Sequence, residues 1–364
     1  MKVLIVAVDK GGCFTPFIEE QISALEGVGI VVSRYGVHGK GVRGYLREIP
    51  KLRRVIRAEH PDIIHAHYGL CGLLAALANG KLSEIKVITT YHGSDINDRK
   101  VLHLSRMAMM MSDWNIFVSR KNIATSFGNC GVKIGNYSLI SCGVDATDHP
   151  LITYSSAREQ LADTLHRLGI EKETPFVLFA GAFKNPVKDA ALAQEVMRQL
   201  AQDGDGTTIP LVELSGYSRH EVNLLMSAAH CLLLTSKSEG SPQVIKEALA
   251  CGCPIVSVDV GDVRERVEGV DGCYVASSRD PQELANLLRR AFTFTPPLSL
   301  RRQQRVPKAP YERQRASTQY GIGQQASGTR YSRHIQQFAV SIQQLFTILT
   351  IQRDYMLHSL SIVV

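Results

Sequence analysis

The chain has 364 residues, of which 45% are hydrophobic and 21% charged, with a formal net charge of +7. This length suffices for two domains, and the composition is that of a globular protein rather than a disordered or membrane-spanning one. The basic excess lies between residues 295 and 334, where eight basic residues stand against Glu312 alone. The rest of the chain is neutral, which argues against a nucleic-acid partner.

The cysteines and the N-terminus indicate the compartment. The eight cysteines are scattered without a C-x-x-C pair, a pattern typical of reduced thiols rather than of disulfides or a zinc site. The first apolar run, Val3 to Val8, is too short to cross a membrane and predicts a strand rather than a signal peptide. We therefore expect a cytoplasmic protein.

Strand and helix patterns alternate from the N-terminus. Lys2 to Val8 predicts a buried strand, Gly11 and Gly12 a turn, Pro16 to Gly27 a helix, and Ile30 to Tyr35 a second strand. This order is typical of the first unit of an α/β doubly wound parallel sheet.

Gly39, Gly41 and Gly44 form a G-x-G-x-x-G pattern. A dinucleotide site would need it after the first strand, with an acid ending the next strand, whereas the strand Asp62 to His67 ends in histidine. We therefore predict a flexible loop over 39–44. The helix that follows, to about Glu59, carries a basic face formed by Lys51, Arg53, Arg54 and Arg57.

Histidines mark the ends of two strands in the first half. His65 and His67 share one strand face, and we expect them to pack rather than bind metal because no third ligand is near in sequence. The strand Val87 to Tyr91 leads into His92, Gly93 and Asp95. Such a polar loop at the end of a strand is where open α/β sheets bind ligands.

The second half repeats the strand and helix pattern. Residues 149–173 are mixed in character and predict a connector, and Phe176 to Ala180 predicts a strand leading to a loop with Lys184 and Lys188. Leu211 to Leu214 predicts the next strand, followed by Tyr217 in a glycine-containing loop. The D-x-D triplet at 203–205 lies in a glycine-rich stretch, which indicates a turn rather than a metal site.

The stretch from Thr235 to Val260 predicts a strand end, a loop, a helix from about Pro242 and a further strand. Glu239 precedes this helix and Glu247 lies inside it, eight positions later. The N-terminus of a helix attracts phosphate, and carboxylates accept hydrogen bonds from sugar hydroxyls. On spacing alone, either a phosphate-and-diol site or two ordinary helix acids fit the pattern.

Several of these stretches resemble retaining glycosyltransferases with the GT-B fold, in particular glycosyltransferase family four. Ser236 to Val256 is similar to the Glu-x7-Glu signature, in which E-G-x-P is followed by E-A-x-A-x-G-x-P-I-V. Asp62 to Gly69 is similar to the D-x-x-H-x-H strand and His92 to Asp95 to the H-G-x-D motif. Gly143 to Asp145 resembles the end of N-G-V-D, with Cys142 in place of asparagine. The resemblance covers residues 1–294.

The resemblance implies two doubly wound, Rossmann-like domains facing a cleft. Residues 1–148 would be the acceptor-side domain, 149–173 the connector and 174–294 the nucleotide-sugar-binding domain. The implied activity is that of a retaining hexosyltransferase in polysaccharide biosynthesis. It would move a sugar from a UDP- or GDP-sugar to a glycan or lipid-linked acceptor, without a metal or a cofactor.

Site residues follow from the same resemblance. It assigns catalytic roles to Lys188, which neutralises the departing diphosphate, to Glu239, which holds the sugar hydroxyls, and to His92, which reaches the sugar. Gly41 and Asp95 would lie on the acceptor side. The residues implied in donor binding are Gly12, Lys184, Tyr217, Gly240, Ser241, Pro242, Gln243 and Glu247. One departure is Ala182, which stands where the family has an arginine, and Lys184 would compensate for it.

The tail 295–364 departs from the family pattern. It is first basic and rich in Pro and Gln, and then its apolar residues recur at helical spacing. This pattern gives the hypothesis of a divergent or frame-shifted terminus. Two alternatives stay open, namely a catalytically idle nucleotide-sugar-binding protein and another GT-B enzyme such as an epimerase or a phosphorylase. The basic helix ending near Glu59 adds a peripheral contact with the inner membrane as a further hypothesis.

Overall fold

A computed structural model describes residues 1–9, 11–80, 84–128, 136–144, 149–171, 173–202 and 208–293. These residues form two compact units, the first ending at Gly143 and the second beginning at Val144. The predicted turn at 203–205 and the tail 295–364 lie outside the described residues.

The first unit is built on a parallel sheet of six strands in the order β2-β1-β3-β4-β5-β6. Its elements are β1 (Lys2–Val8), α1 (Pro16–Gly27), β2 (Val31–Val37), α2 (Gly41–Glu59), β3 (Ile63–His67), α3 (Gly69–Asn79), β4 (Lys86–Tyr91), α4 (Ser94–Asn97), α5 (Arg99–Met111), β5 (Trp114–Phe117), α6 (Arg120–Phe127) and β6 (Tyr137–Leu139).

Strand β1 shows why this sheet is covered on both faces. Val3 and Ile5 pack into one apolar layer, which includes Ile18 of α1, whereas Leu4 packs into a second layer with Leu52 of α2. Successive side chains of a strand point to opposite faces, so a run that is apolar at every position requires a helix layer on each side. The predicted doubly wound architecture is thereby confirmed for this unit.

The predicted loop over 39–44 is wrong from Gly41 onward, because α2 begins at that residue. A Cβ atom on Gly39 would lie 2.5 Å from the carbonyl carbon of Gly44. The chain before the helix therefore packs backbone to backbone against the first helical turn. The glycines serve this close approach, and the sequence pattern alone does not distinguish it from a flexible loop.

The second unit is built on a parallel sheet of five strands in the order β11-β10-β9-β7-β8. Its elements are α7 (Tyr154–Gln160), α8 (Ala162–Arg167), β7 (Val177–Phe179), α9 (Ala190–Gln202), β8 (Leu211–Glu213), α10 (Arg219–Ala228), β9 (Cys231–Leu234), α11 (Gln243–Ala250), β10 (Ile255–Ser257), α12 (Val263–Val267), β11 (Cys273–Val275) and α13 (Pro281–Thr293).

The segment 149–173, which the sequence predicts to be a connector, groups with the second unit. Ala157 and Leu161 are buried in the same apolar layer as Leu225 of α10. Arg158 is also buried, and its guanidinium lies over the ring of Phe176 and donates to backbone carbonyls. The helices α7 and α8 therefore cover one face of the second sheet, and their short mixed sequence hides that role.

Both sheets reverse their strand order at one point, between β1 and β3 in the first unit and between β7 and β9 in the second. The loops that leave neighbouring strands at such a point diverge to opposite faces and open a crevice at the carboxyl ends of the strands. The predicted site residues are therefore expected at these two edges.

Candidate active site

In the second unit, the reversal point brings together two loops that are distant in sequence. The Nζ atom of Lys188, in the loop after β7, donates to Oε1 of Glu239, in the loop after β9, at 2.7 Å. The side chains are only 21% and 15% exposed. Two residues predicted to be catalytic thus form a partly buried ion pair at the edge where a ligand is expected.

A glycine makes room for the lysine of this pair. A Cβ atom on Gly181 would lie 2.9 Å from Cγ of Lys188, so any larger residue there would displace the lysine side chain. The backbone N–H of Lys188 donates to the carbonyl of Asn185 at 3.0 Å, which makes the loop turn just before the lysine.

The loop that carries Glu239 packs against the turn that follows β10. A Cβ atom on Gly261 would lie 2.5 Å from the carbonyl oxygen of Gly240, so the two turns touch through their backbones. The hydroxyl of Ser241 donates to the carboxylate of Asp262 at 2.7 Å, and Nε of Arg266 donates to the same carboxylate oxygen at 2.8 Å. Asp262, which the sequence does not single out, is therefore the side chain that holds this loop.

Helix α11 begins at Gln243, directly after Pro242, as the sequence predicts. Its N-terminus carries the positive end of the helix dipole next to Ser241 and Gln243. The side-chain oxygen of Gln243 accepts from Nζ of Lys246 at 2.6 Å. Glu247 lies one turn further along and is half-buried, so the helix N-terminus and the carboxylate predicted to accept from a diol lie on successive turns of one helix.

The remaining donor residues of this unit differ in their surroundings. Tyr217 is half-buried and packs against the core layer that contains α10. Lys184 is exposed and forms no ion pair with another described residue, so it is not held beside Lys188. Ala182 contributes no charge to the loop. Whether Lys184 compensates for it stays a prediction.

The predicted histidine of the first unit lies in a ring cluster at the carboxyl edge of β3 and β4. Nδ1 of His67 and Nε2 of His92 are 3.0 Å apart and form a hydrogen bond, in which one ring nitrogen donates and the other accepts. The ring of His92 also contacts the rings of Phe17 and Tyr68, with centroids 4.7 and 4.8 Å away. Sγ of Cys142, where the family has asparagine, lies 3.9 Å from Nδ1 of His92.

Burial keeps the two strand histidines neutral. It lowers the pKa of His65 to about 3 and holds the pKa of His67 well below its usual value, with a further contribution from the neighbouring histidines. Because His67 carries no charge, it acts on His92 through a hydrogen bond and fixes the orientation of that ring. The expectation that these histidines pack in the core is confirmed.

The carboxylate of Asp95, which the resemblance assigns to the acceptor side, accepts hydrogen bonds from nearby backbone N–H groups, and its role toward an acceptor stays a prediction. Oδ1 accepts from the backbone N–H groups of His92 and Gly93 at 3.1 and 3.0 Å, and Oδ2 accepts from the N–H of Gly69 at 2.9 Å. Burial raises the pKa of Asp95 to about 6, against the opposing effect of these hydrogen bonds. The residue holds the His92 loop in place.

The two glycines assigned to the first unit are placed by the backbone. The N–H of Gly12 donates to Oδ1 of Asp9 at 2.6 Å in an exposed turn after β1. Gly41 is the first residue of α2. Their roles toward a donor and an acceptor stay predictions.

Two further properties bear on function. None of the described helices is long and apolar enough to cross a membrane. Within the described ranges there is no group of three or more His, Cys, Asp or Glu residues suited to hold a metal ion. Metal independence stays a prediction.

Comparison with known proteins extends over both units. Residues 4–148 match the family described as Glycosyltransferase Family 4, and residues 174–293 match the family described as Glycosyl transferases group 1. The chain is 26% identical to N-acetyl-alpha-D-glucosaminyl L-malate synthase from Bacillus anthracis, over 65% of this chain and 66% of that protein. It is also 26% identical to the amylovoran biosynthesis glycosyltransferase AmsK from Erwinia amylovora, over 63% and 61%. Each match spans less than two thirds of the relative's length.

Solved structures share the fold at low sequence identity. Sucrose-phosphate synthase from Thermosynechococcus elongatus matches with a TM-score of 0.63 and 16% identity, over 100% of this chain and 99% of that one. HepE from Anabaena, in complex with UDP and glucose, matches with a TM-score of 0.61 and 18% identity, over 84% and 95%.

Proposed function

This chain belongs to the family-four-like glycosyltransferases and has their two-domain α/β GT-B fold, and from this premise we propose that it transfers a sugar from a nucleotide-sugar donor with retention of anomeric configuration. The acceptor is a glycan or a lipid-linked sugar in polysaccharide biosynthesis. The name of the Erwinia relative, which refers to amylovoran biosynthesis, supports this class of acceptor.

The observation that carries the proposal is the ion pair between Lys188 and Glu239 at the strand-order reversal of the second unit. A diphosphate leaving group needs a cation, and a sugar ring needs a hydrogen-bond acceptor, so both requirements are met within one contact of 2.7 Å. Without ligand, each charge neutralises the other. When a donor binds, its diphosphate competes with Glu239 for the lysine, and the carboxylate becomes available to the sugar.

Catalysis in this proposal depends on charge that develops as the diphosphate departs. Lys188 and the N-terminus of α11 stabilise that charge more in the transition state than in the bound donor, which is the condition for a higher rate. Glu247 accepts from the ribose hydroxyls and Tyr217 lies beside the base. With Ala182 in place of arginine, the site has one cation fewer for this task, a loss of up to a few kcal/mol.

His92 takes part in the transfer step on the sugar being moved. Its ring is oriented by the hydrogen bond to His67, and its loop is held by the Asp95 carboxylate. A group that is positioned before the substrate arrives loses little free energy to reorganisation during the reaction. We expect a His92→Ala protein to bind nucleotide normally and to transfer sugar slowly.

A panel of thermal-shift measurements tests the donor class. UDP, GDP and their sugars are added to the full chain, and a ligand that binds only the folded state raises Tm. For the donor that binds, the anomeric configuration of the product is read by proton NMR against that of the donor. Inversion of configuration would overturn the retaining mechanism, and no shift with any of these nucleotides would count against a nucleotide-sugar donor.

A catalytically idle nucleotide-sugar-binding protein is the second candidate, and the specific observation in its favour is Ala182. Isothermal titration with UDP and GDP, followed by a turnover assay, separates the two. Nucleotide binding without turnover on any acceptor would favour this second candidate, in particular if Ala182→Arg gives a protein that turns over the donor.

Peripheral membrane contact is a separate part of the proposal and concerns α2. Val42 and Leu46 are 54% and 52% exposed on the first turns of this helix. Arg43, Arg47 and Arg54 are exposed as well, and their spacing puts them on one face beside the apolar pair. A helix face that combines exposed apolar and basic residues can bind a membrane that contains anionic lipids. Co-sedimentation with anionic but not with zwitterionic vesicles, lost in Leu46→Glu, is the expected result.

A further inference from the structure

Arg279, four residues after β11, reaches two loops that belong to other strands. Its Nη2 atom donates to Oδ2 of Asp189 at 2.7 Å and to the carbonyl of Thr235 at 2.7 Å, and its Nη1 atom donates to the carbonyl of Ser236 at 2.9 Å. One guanidinium thereby joins the loop after β7 to the end of β9. A planar fork with five donors is suited to such a bridge, and a lysine is not.

The segment that Arg279 holds is the one that carries Lys188. The hydroxyl of Thr235 lies 2.9 Å from the carbonyl of Lys188 and 3.0 Å from that of Asp189. The N–H of Lys237 donates to the carbonyl of Val187 at 2.8 Å. The backbone on both sides of the lysine is therefore tied to residues 235–237.

Asp189 has a left-handed backbone conformation, with φ of +55°. Residues other than glycine adopt this conformation at a small energetic cost, and it persists when surrounding contacts offset that cost. The carboxylate of Asp189 is the acceptor through which Arg279 acts on this turn. Lys237 adds a more distant charge contact, with its Nζ 3.8 Å from Oδ1.

We propose that Arg279 is a positioning residue for Lys188. By holding Asp189 in its left-handed turn, the guanidinium aims the preceding lysine at Glu239 and, on donor binding, at the diphosphate. This inference rests on the proposed function only for the diphosphate. The aim of the lysine at Glu239 is a property of the protein without ligand and can be measured separately.

The test is competitive acetylation of the lysines in the full chain, read by peptide mass spectrometry. Lys184, exposed in the same loop, is the internal reference. In Arg279→Gln we expect the acetylation rate of Lys188, relative to that of Lys184, to rise about fivefold. The reason is that Lys188 loses its hydrogen bond to Glu239, which protects its amine. Asp189→Asn should give a similar rise, since asparagine tolerates the left-handed conformation, and the double variant should rise no further.

A matched control uses Arg264, which pairs with Asp259 at 2.8 Å and donates to the carbonyl of Ala276 at 3.1 Å. None of these three residues belongs to the Lys188 loop. Arg264→Gln removes an arginine of similar surroundings and should leave the reactivity of Lys188 unchanged. A purely structural role of Arg279 would lower Tm in Arg279→Gln without changing the ratio of Lys188 to Lys184, and that result would overturn the proposal.

UDP and GDP separate this inference from the proposed function. In the wild-type protein, the nucleotide that binds should slow acetylation of Lys188, and in Arg279→Gln this protection should weaken. Failure of both nucleotides to protect Lys188 would count against the donor site alone. An unchanged Lys188 to Lys184 ratio in both Arg279→Gln and Asp189→Asn would count against Arg279 alone.

Discussion

Removing the negative charge of Glu239 should strengthen binding of a bare nucleoside diphosphate and slow sugar transfer. In the unliganded protein, Glu239 occupies Lys188 at 2.7 Å. UDP or GDP therefore has to compete with a carboxylate for this cation. Glu239→Gln keeps the shape of the side chain and an oxygen acceptor but removes the charge, so the competition weakens.

The size of the effect follows from the partial burial of the pair. The Lys188 and Glu239 side chains are 21% and 15% exposed, and a hydrogen bond between charged groups contributes about 1.5–3 kcal/mol net. Because the amide retains part of this interaction, we expect a gain of about 1 kcal/mol, or roughly fivefold tighter binding of UDP or GDP. The same change should slow transfer by about tenfold or more, since the sugar loses a charged acceptor.

Isothermal titration with the nucleotide that binds measures the first effect, and initial rates of transfer measure the second. Glu268→Gln removes one charge from an exposed position in the same unit, which controls for the change in overall charge. Lys188→Ala should change affinity in the opposite direction. Weaker nucleotide binding by Glu239→Gln than by Glu268→Gln would refute the reasoning, because it would mean that the carboxylate helps to hold the diphosphate.

Three further predictions concern other parts of the two units. Gly181→Ala should weaken nucleotide binding about tenfold, because the new Cβ would lie 2.9 Å from Cγ of Lys188. Gly269→Ala should leave nucleotide binding unchanged, because Gly269 also has a positive φ, of +74°, but a Cβ there would meet nothing within 4 Å. Glu247→Ala should reduce the preference for UDP over 2′-deoxy-UDP, or for GDP over its deoxy form; wild-type discrimination in titrations of this variant would contradict the ribose assignment. Burial raises the pKa of Asp95 to about 6, above its value in an unfolded chain. The wild-type protein should therefore lose about 3 kcal/mol of stability relative to Asp95→Asn as the pH rises from about 3 to about 7, and no more above that. Urea unfolding followed by the fluorescence of Trp114, the single tryptophan of the chain, measures this in the first unit, and a difference that does not vary with pH would refute it.

Elements with local signals could be predicted from the sequence. Helix α1 spans Pro16–Gly27 as expected, and α11 begins directly after Pro242, because proline and the spacing of apolar residues act within one or two turns. The first turn of α2 was predicted as a loop, and the helical segment 154–167 was predicted as part of a connector. Their structure depends on contacts with other segments, such as the packing of Gly39 on Gly44 and of Leu161 in the core.

The candidate site shows the same division. Lys188, Glu239 and His92 stand in short motifs, and the sequence identifies them as chemically useful groups. Arg279 and Asp262 have no motif of their own. Arg279 contacts Asp189, which lies 90 positions away in sequence, and Asp262 contacts Ser241, 21 positions away. Strand order brings these residues together.

By itself, the sequence determined the alternation of strands and helices and the chemical character of the site, because apolar periodicity, glycine, proline and charged residues act locally. Only the tertiary structure decided that Lys188 is paired with Glu239 and that His67 orients His92. It also decided that the carboxylate of Asp95 faces its own backbone. The physical reason is that parallel strands place the loops that follow them along one edge, and the strand order chooses which loops become neighbours.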